Sequence, residues 1–120
     1  VYPWGLSSHD LDTAYTPIFM NLVKEATSTS SYQIGNSADV VYPADGTFED
    51  YAFWKHGVWS ILFEAGNTHN PNTGNLNQLV NENVPGLRKM FEVAPKKVAA
   101  DHDFKGQCDP GLRIMDLGIE

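Results

Sequence analysis

Glu64 closes an apolar run, Val58-Trp59-Ser60-Ile61-Leu62-Phe63, and stands just before Ala65-Gly66. A carboxylate ending an apolar strand lies at the sheet edge, where α/β folds place their ligands. Partial burial there equips such a group for general-base work. The alternative is a solvated carboxylate that ends the strand or caps a neighbouring loop. Tyr42 is the second candidate, in Val40-Val41-Tyr42-Pro43-Ala44-Asp45-Gly46. A phenol on a Pro/Gly loop can swing and donate a hydrogen bond to a substrate; the alternative is a tyrosine that packs at a strand end.

Other chemistries find less support. His9, His56, His69 and His102 lie in different segments, and none forms His-x-x-x-His or His-x-x-Glu. His9 and Asp12 have a His-x-x-Asp spacing without a third ligand nearby, so surface or loop histidines are expected and no metal site within the chain. Cys108 stands alone, which excludes an internal disulfide and a Cys-based zinc site. There is no Gly-x-Ser-x-Gly elbow and no glycine-rich loop opening a helix. Lys96-Lys97 reads as a solvated helix exit. Fifteen acids against 8 Lys plus Arg give a formal charge of −7, which argues against nucleic acid because phosphate neutralisation needs a basic face. No apolar run approaches the roughly 18–20 residues of a membrane span.

The elements that must position these residues follow from period and punctuation. Val1-Tyr2-Pro3-Trp4-Gly5 reads as a strand end running into a turn. Thr16 reads as an N-cap with Pro17 at the first helical position. Ile18, Phe19, Leu22, Val23 and Ala26 then share a helical face, and the polar tract Thr27–Ser31 ends it. Gly35, Pro43 and Gly46 break the next stretch into turns, with a short aromatic helix over Asp50–His56. Val58–Phe63 fits a central strand covered on both faces. After an Asn-rich loop, Asn75 caps a helix in which Leu76, Leu79, Val80, Val84, Leu87 and Phe91 share a face. Pro85-Gly86 is expected to kink or split that helix, and Pro95 to close it. The period is lost from Lys96 onward. The pattern predicts an α/β fold, with one unit over 1–95 and a C-terminal extension or following module over 96–120. The length of 120 residues suits a single domain. The start at Val1, without a leader, makes a cut piece of a longer protein the expectation.

Four segments, in order, resemble the C-terminal part of zinc metallocarboxypeptidases of the carboxypeptidase A and B type. Tyr2-Pro3-Trp4-Gly5 is similar to the Tyr-Pro-aromatic-Gly stretch that follows the family's third zinc ligand. Tyr32-Gln33-Ile34-Gly35 is similar to its Tyr-x-x-Gly. Val41-Tyr42-Pro43-Ala44-Asp45-Gly46-Thr47-Phe48-Glu49-Asp50-Tyr51 resembles its Tyr-Pro-Ala-x-Gly-x-x-Asp-Asp-Trp segment. Ile61-Leu62-Phe63-Glu64 resembles the strand that carries its catalytic glutamate, and the 22 positions from Tyr42 to Glu64 fit the family's spacing.

The resemblance covers about Val1 to Pro95, roughly the last third of the family's catalytic domain. It implies a partial α/β/α sandwich around a mixed sheet, and a hydrolase that removes C-terminal residues from peptides and proteins. Glu64 would be the general base that takes a proton from zinc-bound water and returns it to the leaving amine. Tyr42 would cover and hydrogen-bond the bound peptide. Glu49 holds the position that sets side-chain preference, where an acid implies C-terminal Lys or Arg through a charge-assisted hydrogen bond. The zinc ligands and the carboxylate-binding arginine are expected upstream of Val1, which would leave this fragment inactive by itself. Secretion or a periplasmic location follows by resemblance only. After Glu64 the chain reads Ala65-Gly66-Asn67-Thr68-His69-Asn70-Pro71 where the better-known animal enzymes have Leu-Arg-Asp-x-Gly, closer to bacterial members.

Two other functions compete: a non-catalytic binding domain on the same fold, and a two-carboxylate glycosidase using Glu64 with Asp45 or Glu49. Retention of both Glu64 and Tyr42 favours the peptidase. If a large part of the domain is missing, the strand at Val58 and the helix from Leu76 to Phe91 should expose apolar surface, and the fragment is expected to self-associate.

Overall fold

A computed structural model describes residues 1–5, 14–44, 46–66 and 70–99. It contains four helices, α1 (Thr16–Ala26), α2 (Ser37–Val40), α3 (Phe48–His56) and α4 (Thr73–Val93).

Helix α1 starts with Pro17 in its first turn, where a missing N–H leaves no bond unmade. Its buried face is Phe19, Leu22, Val23 and Ala26, four of the five residues that the period selects; Ile18 is exposed. Helix α3 begins two residues earlier than its aromatic pattern suggests. Thr47 is the N-cap, accepting the Asp50 N–H at 3.4 Å, and Gly57 in the left-handed conformation closes the helix. The four-residue α2, capped by Asn36 through the Asp39 N–H at 2.9 Å, has no counterpart in the sequence pattern.

The core is aromatic. Phe19 and Phe53 are fully buried, with Tyr2 and Trp4 nearly so. Phe53 meets Phe19 edge-on at 4.9 Å between centroids, and also touches Trp4, Tyr15 and Trp59. Rings of this size each bury about 150–250 Å², and such geometries add about 0.5–1.5 kcal/mol per pair beyond area. Residues 95–99 fold back onto this cluster. The Ala99 N–H donates to Gly57 O at 2.9 Å, the Trp59 Nε1–H to Lys97 O at 2.8 Å, and Ala99 is buried. The rest of the 96–120 segment lies outside the described residues.

The expected partial α/β/α sandwich with a mixed sheet is not found. Among the described residues there is no strand, and the β pairing is a single parallel bridge between Tyr2 and Asn36. Extended segments do lie side by side. Leu62 N–H donates to Val1 O at 2.9 Å, and on the other edge Tyr2 N–H donates to Gly35 O at 3.1 Å. The ladders stop there for local reasons. Pro3 has no N–H to give. In the run read as a central strand, Ser60 N–H turns back to Val58 O at 2.8 Å and Val58 N–H goes to Ala52 O at 3.2 Å, so its donors are spent locally. Nor is that run covered on both faces, since Val58 and Leu62 are exposed.

Helix α4 is capped by Asn72, whose side chain accepts the Asn75 N–H at 3.0 Å, rather than by Asn75. It runs unsplit through Pro85. The bond that Pro85 cannot make falls where α4 is seated on α1, through Gly86 against Ala26, and tertiary packing carries the helix through it. Thr29 Oγ1 to Glu82 O at 2.8 Å adds a second tie to the turn after α1.

Candidate functional site

Glu64 lies at the edge of a cleft of about 210 Å³, lined also by Val1, Tyr32, Val40, Val41, Leu62 and Phe63. The local cause is the extended run to Glu64, held against Val1 by Leu62. The expected partial burial is absent: Glu64 is exposed. Val40 and Val41 bring the Tyr42 loop to the same cleft. Ser37 Oγ donates to Tyr42 O at 3.0 Å, which fixes the backbone there, while the Tyr42 side chain is 64% exposed.

Glu49 is placed differently. It lies in the first turn of α3 and is buried, with Ser60 Oγ donating to its backbone oxygen at 2.7 Å. Its Oε1 has no hydrogen-bond partner among the described residues. A buried acceptor without a donor is costly, of order 1–3 kcal/mol, and Glu49 is not among the residues lining the Glu64 cleft. The Val1 ammonium reports the neighbourhood. Burial pushes it below its ordinary value, and the carboxylates of Glu49 and then Glu64 oppose that shift. In the 120-residue chain the Val1 amine thus lies near both carboxylates.

Asp50, the neighbour of Glu49, is a structural acid. Both of its carboxylate oxygens accept the Gly5 N–H, at 3.2 and 3.0 Å, within the protein. This bond joins the N-terminal segment to α3 across 45 positions of sequence, and no local pattern points to it.

Of the four histidines, His56 is described; it is exposed and meets the Tyr51 ring edge-on at 5.7 Å. His9, His69, His102, Cys108 and the alternative glycosidase partner Asp45 lie outside the described residues. Among the described residues no three His, Cys, Asp or Glu side chains come together as a metal site, and no helix is long and apolar enough to cross a membrane.

A second cleft of about 320 Å³ was not foreseen. It opens between α4 and the segments around Tyr32 and Gly66, with Asn75, Gln78 and Glu82 on its helical wall. The one sequence signal for it is the Gln78–Glu82 pair at i, i+4, which shares a helix face. Comparison with known proteins gives no matching family model, no matching curated protein and no matching solved structure.

Proposed function

We propose that the chain is the C-terminal portion of a zinc carboxypeptidase that removes C-terminal residues, preferentially Lys or Arg, from peptides and proteins. The observation that carries this reading is the cleft that Glu64 lines together with Val40 and Val41, which lead into the Tyr42 loop. The reading rests on the placement of these residues and on the order of four motifs; the sheet that the resemblance implies is not found among the described residues.

In this reading Glu64 takes a proton from the attacking water as its oxygen bonds to the scissile carbonyl carbon. It returns that proton to the nitrogen as the C–N bond breaks. Glu49 offers its unpaired oxygen to the cationic side chain of the residue being removed. The exposed Tyr42 phenol donates a hydrogen bond to the bound peptide. The described residues hold no cluster that fits zinc, and in this reading residues upstream of Val1 would hold it. The resemblance also assigns the protein to a secreted or periplasmic location.

A second reading, a peptide-binding module without catalysis, is favoured by one observation, the exposure of Glu64. Two measurements separate the readings. The encoded residues upstream of Val1 should contain His-x-x-Glu and a later His. The full-length protein should release C-terminal Lys faster than C-terminal Phe from otherwise matched peptides. Equal rates remove the role given to Glu49, and binding without release supports the second reading.

A further inference from the structure

We propose that the peptide substrate continues past Glu64 into the second cleft, where Gln78 and Glu82 of α4 bind the part of the peptide upstream of the scissile bond. This proposal rests on the carboxypeptidase reading and adds the length and chemistry of the substrate to it.

Three observations carry it. The first is adjacency. Tyr32 lines both clefts, and Gly66, two residues after Glu64, lines the second. Gly66 has φ +85 and bends the chain onto α4 so closely that a Cβ there would lie 3.1 Å from Leu79 Cδ2. The Tyr32 wall is fixed, because its hydroxyl accepts Asn83 Nδ2–H at 3.0 Å.

The second is size. Ligand sites usually enclose about 300–1,000 Å³. The Glu64 cleft, at about 210 Å³, is too small for an oligopeptide, whereas the two together fall inside that range. If the C-terminal side chain is directed at Glu49, the rest of the peptide must leave the reacting bond by another route. The cleft that shares Tyr32 provides one.

The third is chemistry. Gln78 Nε2–H donates to Glu82 Oε1 at 2.6 Å, so the pair is held in place before any ligand arrives. That leaves the Gln78 carbonyl oxygen and the second Glu82 oxygen as acceptors. An acceptor-rich wall matches the donors of an extended peptide, its backbone N–H groups and a Lys or Arg side chain.

The test uses the full-length protein and acetylated peptides of two, three, five and seven residues sharing one C-terminal pair. The proposal predicts that kcat/KM rises with length by roughly threefold to tenfold for each hydrogen bond gained. The ratio of long to short should fall towards one in Glu82→Gln and, independently, in Gln78→Ala. With seven-residue peptides carrying Lys or Gly upstream, wild type should prefer Lys, and Glu82→Gln should lose that preference. Length-independent rates in the wild type would overturn the proposal while leaving the carboxypeptidase reading standing. So would an unchanged long-to-short ratio in both variants. No release from any peptide would overturn the carboxypeptidase reading and this proposal with it.

Discussion

Gly86 of α4 lies directly against the carbonyl group of Ala26 at the end of α1. A Cβ on Gly86 would sit 2.7 Å from the Ala26 carbonyl carbon and closer still to its oxygen. This contact sets how near the two longest helices approach. It also sets two physical effects against each other. Alanine is favoured over glycine inside a helix by about 1 kcal/mol, but overpacking against backbone costs about 1–3 kcal/mol. The blocking atom is backbone and cannot rotate away, so packing wins. Gly86→Ala should lower stability by up to about 2 kcal/mol in urea unfolding, and an increase would show that the α1–α4 contact is not seated this way.

Phe53 tests the core. It is fully buried and contacts four other rings. Phe53→Ala should cost about 3–5 kcal/mol and flatten the near-ultraviolet circular dichroism spectrum. A loss below about 1 kcal/mol would mean that the aromatic cluster is not the centre of the fold.

The Val1 amine gives a pH dependence for the 120-residue chain. Its affinity for protons is lowered in the folded state, from an ordinary value of 8.0, chiefly by burial. The unfolded chain therefore binds more protons between the lowered value and 8.0, and stability rises with pH across that window. It is complete above 8.0 and is lost as pH falls through the folded value. Converting this amine to an amide, by acetylation or by upstream residues, should abolish the step. A step that survives acetylation belongs to another group.

Helix α4 bears on association. Leu76, Val80, Val84 and Phe91 are exposed along it, a stripe at helical spacing that no described residue covers. Large apolar patches are seldom left open on monomers. The isolated 120-residue chain should therefore form dimers or larger species by light scattering, and Val80→Lys with Val84→Lys should shift it towards monomer. A monodisperse wild-type monomer would contradict this.

That stripe also shows where the sequence was and was not informative. The period correctly placed Leu76 to Phe91 on a helix, but it cannot say whether anything covers the apolar face; only Gly86 of α4 is buried. Helix α1 was legible because Phe19, Leu22, Val23 and Ala26 are apolar at helical spacing and do meet the core. Val58 to Phe63 reads as a central strand because β-branched and aromatic residues mark extended backbone, but they do not supply a partner to pair with. The donors of Val58 and Ser60 bond locally instead. At the site, the motif order led to Glu64, Tyr42 and Glu49, and the cleft brings the first to the loop of the second. The Asp50–Gly5 bond and the wall shared by Tyr32 join segments far apart in the chain. No local pattern carries such contacts.

Whether Glu64 is the general base is read from the rate at which the full-length protein and its Glu64→Gln variant release Lys from a C-terminal-Lys peptide. Glutamine keeps the size and shape of the side chain while removing its charge and its ability to take up a proton. If Glu64 is the base, kcat should fall about 10²–10⁴-fold with little change in KM. A variant as fast as wild type would remove Glu64 from the chemistry.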